Sequence, residues 1–151
     1  MKLTFDNMSF AADGKTLFGP IDIDLNLDGI TCVLGYNGAG KSLFLELCHA
    51  MLEPTTGQVK WDNKPALETR QNRGYIFQHR IVLRRSVCRN IALPMQAAGW
   101  LRADINARMD DFLHMARLTG HANAPAADLS GGLAQRLALV RVLTFRPVHV
   151  I

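Results

Sequence analysis

At 151 residues the chain has the length of one ordinary domain, enough to bury a core. Apolar residues make up 48% and charged residues 20%, which excludes a disordered chain, and no run has the length and apolarity of a membrane-spanning helix. The net charge is +4, and the 3 cysteines, Cys32, Cys48 and Cys88, lack metal-ligand spacing and read as reduced thiols.

The start of the chain, MKLTFDNMSF, carries an acid and alternates like a strand, so it is no signal peptide. KLTFDNMSF and IDIDLNL both have the period of half-buried strands, with turns supplied by Asp13-Gly14 and Asp28-Gly29. GITCVLG is a short apolar run that predicts a fully buried strand. KSLFLELCHAM, 41–51, predicts a helix ended by Pro54 and Gly57, and QVKWD and GYIFQ predict two further short strands. From about Val87 the period changes. Ile105, Met109, Phe112 and Leu113 share one face of a helix that stops at Thr119-Gly120. HANAPAAD is a linker, Ser130 an N-cap for a last helix over 131–145, and VHVI opens a strand. No internal repeat appears.

Charge is unevenly spread. No acid lies between Glu68 and Asp104, whereas Arg70, Arg73, Arg80, Arg84, Arg85, Arg89 and Arg102 all do. Such a run suits phosphate, an anionic membrane surface or an acidic partner; the plain alternative is a solvated basic face balanced by acids elsewhere. Aromatic residues do not interleave with it, which leaves nucleic acid unsupported as a partner.

The stretch GYNGAGKS, Gly35 to Ser42, matches G-x-x-x-x-G-K-[ST]. The chemistry accounts for the spacing. A strand delivers Gly35 into a tight loop whose successive backbone N–H groups, through Tyr36, Asn37, Gly38, Ala39 and Gly40, form a nest for an anion. Glycine tolerates the dihedrals this needs, and the following helix aims its unsatisfied N–H groups at the same point. Lys41 then reaches the β/γ-phosphates and the Ser42 hydroxyl ligates Mg²⁺. The plain alternative is a glycine-rich turn that binds nothing, but with glycine at about 7% of residues a chance match is on the order of 1%.

A second helix start, DLSGGLAQRLALVRVL, is also suited to phosphate: Ser130 caps it and Gly131-Gly132 bare its first N–H groups. Taken alone this is only a cap, and Leu133, Leu137, Val140 and Leu143 form an ordinary core-facing stripe. Together the two stretches resemble the nucleotide-binding domain of ATP-binding cassette (ABC) transporters, with Leu129, Ser130, Gly131 and Gly132 at the family's signature motif. Gln135-Arg136 and Arg141 match its continuation, and Gln78 in GYIFQHRIVLRRSVCRNIALPM falls where the family has its Q-loop glutamine. The phrase is most similar to importer subunits, in particular those for tungstate- or molybdate-like oxyanions.

The resemblance implies an α/β P-loop NTPase fold of the ABC type, with an N-terminal antiparallel β subdomain, a parallel-sheet core and a helical subdomain. It divides the chain into a β subdomain (1–30), a phosphate-loop core to the Q-loop (31–80), a helical subdomain (81–128), and the signature helix with the start of a further strand (129–151). It implies ATP and Mg²⁺ as cofactors, with Ser42 and Gln78 at the metal, Gln78 and Lys41 at the reaction, and an aromatic on the adenine. Ala12 aligns with that aromatic, so Phe10 is expected to serve. It further implies a head-to-tail dimer in which Ser130, Gly131 and Gly132 close over the partner's ATP. A membrane permease on the cytoplasmic side, contacted by the segment after Gln78, and a solute-binding protein complete the expected complex. Departures are Leu133, where the family usually has glutamine, and Tyr36, where a small residue or proline is common.

In the family the strand begun by VHVI ends in an aspartate for Mg²⁺ and a glutamate that polarises water, and the chain stops before either. The expectation is therefore a domain incomplete at its C-terminus. It would be an ABC-type ATPase by family that hydrolyses poorly alone, since loss of a general base costs about 10²- to 10⁴-fold in rate. VHVI is expected beside the phosphate-loop strand. His149 precedes the missing carboxylates, and His79 and His114 read as surface or capping residues. Two other readings stand: a soluble ABC-type protein of translation or DNA repair, which a second cassette would reveal, and a non-catalytic ATP-binding module. A P-loop kinase or GTPase does not explain LSGG at the head of a late helix.

Overall fold

In the computed structural model residues 1–79 and 81–151 are described; Arg80, part of the arginine-rich run, lies outside the described residues. The chain forms two compact units, Met1–Arg73 with Ile151, and Gly74–Val150.

In the first unit β1 (Lys2–Ala12) and β2 (Lys15–Asn26) make an antiparallel hairpin. Asp13 and Gly14 both have positive φ, 50° and 72°, the two-residue turn whose twist matches paired strands. β3 (Thr56–Trp61) pairs antiparallel with the other edge of β1, and β4 (Lys64–Pro65) follows it, giving the order β2-β1-β3-β4. Alternation places Leu3 and Phe5 of β1, with Val59 and Trp61 of β3, on one buried face. Met8 joins them, and Leu47, Cys48 and Ala50 from α1 (Lys41–His49) and its C-cap close the core.

The second unit is built from α2 (Val87–Ala97), α3 (Arg102–Met115) and α4 (Gly131–Leu143). Val87, Ile91 and Met95, then Ile105, Phe112 and Leu113, then Ala134, Leu137 and Val140 recur at helical spacing and form its core. Gly74 belongs to the two-residue strand β5 (Arg73–Gly74), which pairs with β6 (His149–Val150).

Four expectations need correction. GITCVLG is not a buried strand: residues 31–36 carry no regular structure, and Ile30 and Leu34 are 94% and 90% exposed. No described strand lies beside this run, and without a ladder an apolar segment has neither paired amides nor covered side chains. GYIFQ contributes only Gly74 to a strand, and VHVI pairs with β5 rather than beside the phosphate-loop run. Arg73 does not belong to a basic face; it is 5% exposed, whereas Arg70, Arg84, Arg85, Arg89 and Arg102 are exposed.

Candidate functional site

The loop from Gly35 to Lys41 stands at the head of α1. Gly38 and Gly40 both have φ +84°, the left-handed region where a side chain is strained. Gly40 is the N-cap, Phe44 N–H donates to its carbonyl at 2.8 Å, and Ala39 N–H closes a turn on Tyr36 O at 3.2 Å. A Cβ on Gly40 would stand 3.0 Å from the Phe18 ring. Phe18 leans on Phe44, 5.9 Å between centroids, and Phe44 stacks on Phe5 at 5.1 Å. The hairpin thus props the loop from below.

Lys41 Nζ folds back over the loop and donates to Gly35 O at 2.9 Å and Tyr36 O at 2.7 Å. Two of its three donors hold the turn and the third is left for a ligand. The N–H groups of Lys41, Ser42 and Leu43 have no intrahelical acceptor at a helix start, and Ser42 is exposed. Left-handed glycines, bare amides and one ammonium make an anion cradle that fits a polyphosphate. Among the described residues no cluster of three or more His, Cys, Asp or Glu side chains is placed to hold a metal, so a cation here would depend on Ser42 and on the anion itself.

Phe10 is half-buried, lies opposite Phe18 in the hairpin register, and packs on the core of the first unit, while Ala12 sits beside the turn. Tyr36 is 91% exposed, with only its backbone engaged in the loop.

In the second unit Ser130 is the N-cap of α4, but its hydroxyl makes no capping hydrogen bond. Ser130, Gly131 and Gly132 are exposed and a Cβ on Gly132 would meet nothing within 4 Å. Leu129 is buried just ahead of them, and Leu133 packs against the helical core, which gives this departure from the signature a structural use. Gln78 lies in a bend and is exposed. His114 and His79 are also exposed; His79 lines a cavity of about 150 Å³ with Tyr75, Phe77, Ile81, Arg141 and Phe145. The phosphate loop belongs to the first unit, Gln78 and the signature to the second.

Sequence reasoning missed Asn90, His49 and Arg73 as buried polar groups. Asn90, fully buried, accepts from Leu83 N–H at 3.0 Å and donates to the carbonyls of Leu83, Arg85 and Ser86, fastening the turn before α2. His49 ends α1 and its Nε2 donates to Arg73 O at 3.2 Å; burial holds its pKa below the ordinary value. The Arg73 guanidinium lies 5.0 Å over the Trp61 ring, donates to Thr69 Oγ1 at 2.8 Å and also to Ala66 O. A signal existed only for Arg73, as the one arginine of its run directly before a strand-like stretch.

The family model for ABC transporters matches residues 18–151. The chain belongs to the ABC transporter family. The match covers the phosphate loop, Gln78 and the signature together. Among curated proteins, this ABC transporter chain is 40% identical over 143 residues to the methionine import ATP-binding protein MetN of Bradyrhizobium diazoefficiens, covering 89% of the chain and 41% of that protein. It is 34% identical over 158 residues to MetN 1 of Yersinia pestis, covering 97% and 46%. The chain therefore spans less than half the length of these relatives. Among solved structures, cbiO1 from Clostridium perfringens, part of the ABC transporter complex cbiONQ, superposes with a TM-score of 0.83 at 24% identity over 98% of the chain and 63% of that protein. An ATP-binding cassette of another ABC transporter gives 0.81 at 18% identity, covering 98% and 66%. These likenesses establish the fold: the α/β fold of P-loop ABC ATPases, with its antiparallel N-terminal sheet and its helices.

Proposed function

We propose that this chain is the nucleotide-binding part of an ABC importer subunit. The reading rests above all on the loop at the head of α1, where Gly38 and Gly40 take left-handed dihedrals and Lys41 straps the carbonyls of Gly35 and Tyr36. The residues of the first unit fit the phosphates of ATP·Mg²⁺: the amides of 36–42 and Lys41 would hold them, Ser42 would meet the cation, and Phe10 is the aromatic proposed for the base; for Gln78 a role at the metal rests on the family resemblance alone. ATP supplies a phosphoanhydride whose cleavage is coupled to movement of the transporter. Lys41 would neutralise the terminal phosphates; by the family resemblance Gln78 would position water and Ser130 with the Gly131 and Gly132 amides would serve the nucleotide of a head-to-tail partner.

The wider assembly belongs to the same proposal: a second cassette, a permease reached through the segment after Gln78, a solute-binding protein, and a place on the cytoplasmic face of the membrane. No helix of the described residues is long and apolar enough to cross a membrane; the proposed attachment is through the permease. For cargo, the wording around Gln78 favours tungstate or molybdate, and the relatives named for methionine import favour that amino acid. Uptake by the intact complex, competed by methionine or by the oxyanions, decides between them.

The test of the nucleotide reading is calorimetric. ATP with Mg²⁺ is expected to bind, and Lys41→Ala to weaken it about 10- to 100-fold, the worth of one charge-assisted bond. Equal binding by the variant, or none by the native chain, defeats it.

A further inference from the structure

Asn37 is the one asparagine of the chain that is followed by glycine, and the pair stands at the turn of the phosphate loop. Both residues are exposed. Among the described residues neither the Asn37 carboxamide nor the Gly38 N–H has a hydrogen-bond partner, whereas the neighbouring Ala39 N–H is tied to Tyr36 O at 3.2 Å. A Cβ on Gly38 would meet nothing within 4 Å, so nothing crowds this peptide. An asparagine can close on the backbone nitrogen of the next residue, and glycine is the residue whose nitrogen no side chain shields. What limits that reaction is charge: the nitrogen must shed its proton, and ring closure passes through an oxyanion. Both anions form in a loop made positive by its surroundings. The start of α1 presents its positive end, and Lys41 Nζ lies over the loop on Gly35 O and Tyr36 O.

We propose that Asn37 is a self-modification site, converted while the phosphate loop is empty and spared while it is filled. The Gly38 nitrogen gives its proton to solvent base and bonds to Asn37 Cγ. The Cγ–Nδ2 bond breaks, and ammonia leaves with a proton returned by solvent. Water then opens the five-membered imide. Opening at one carbonyl leaves aspartate at position 37; opening at the other leaves isoaspartate, with the main chain rerouted through Cγ. Either product sets a carboxylate beside the amides that would meet phosphate, so the loop closes itself to polyphosphate. A nucleotide held on those amides occupies the Gly38 N–H and blocks the attack. The protection and the loss of binding rest on the nucleotide reading above; the conversion itself does not.

Peptide mass mapping of the native chain, held in mildly alkaline buffer at body temperature, tests this. Asn90, buried with its amide bonded, and Asn106, inside α3, are the internal controls. The expected result is a one-dalton gain with isoaspartate at Asn37, at least about tenfold faster than at either control. The folded chain should convert Asn37 no more than about threefold slower than the same chain in urea, because the loop is open in the fold. Saturating ATP·Mg²⁺ should slow the conversion at least about tenfold, in proportion to the unliganded fraction. The converted chain, separated by its added charge, should bind ATP about 10- to 100-fold more weakly, as should Asn37→Asp from the start. Asn37→Gln, which would have to close a six-membered ring, should keep its own starting affinity through the incubation. A slower folded rate than that, a rate unchanged by ATP that calorimetry shows to be bound, or converted chain that binds ATP as the native chain does overturns the proposal. If the native chain binds no ATP, the nucleotide reading falls, and the comparison of folded chain with urea decides the conversion by itself.

Discussion

Gly40 has two reasons to lack a side chain: its φ of +84° and the Phe18 ring 3.0 Å from where a Cβ would sit. Gly40→Val is expected to cost about 1–3 kcal/mol of stability and to abolish ATP binding, read by thermal melting and calorimetry. The thiols divide by environment. Burial pushes Cys48 up to about 12, while Cys32 is exposed beside the phosphate loop. A thiol reagent at pH 8 should therefore modify Cys32 in the folded chain and reach Cys48 only after denaturant is added. His49 titrates in the other sense. Burial favours its neutral ring, so its folded pKa lies below the unfolded 6.5. Its contribution is fully present above that value and is lost as pH falls through the folded pKa, because the unfolded chain takes the proton first. Melting temperature should drop below pH 6.5, and His49→Gln should flatten that slope.

At the scale of elements, what was readable was local and what was missed was not. The turn at Asp13-Gly14, α1 after the phosphate loop and α4 after Ser130 all follow from residues within a few positions of one another. Residues 29–35 and 74–78 read as strands because they are largely apolar, but a strand exists only if another strand lies beside it, and that partner is set by topology. For the proposed anion cradle the spacing named the candidate residues, because glycine, lysine and serine are needed at fixed offsets. Arg141 was visible as a motif residue, but its acceptor, Ile81 O, was not: the two are 60 positions apart. Asn90 was passed over because nothing in a lone asparagine announces that it will close the turn at 83–86. Asn90→Leu should destabilise the second unit by at least about 2 kcal/mol, since several backbone groups lose their partner at once, and chemical denaturation will show it.

For the whole molecule, two motifs about ninety residues apart carried the family resemblance, and the fold class followed from that resemblance. The division after Arg73 was not legible, because it depends on which residues share a core. Phe5→Ala and Ile91→Ala, each removing a fully buried side chain from a different core, should each cost about 2–5 kcal/mol, and hydrogen exchange should quicken mainly in the unit that was altered. The stretch from Ile30 to Leu34 carries a last consequence. Its greasy side chains face water and its amides join no ladder, the makings of a template on which copies stick to one another. Turbidity should climb steeply with concentration, a dye such as ANS should light up, and Leu34→Lys should keep the solution clear.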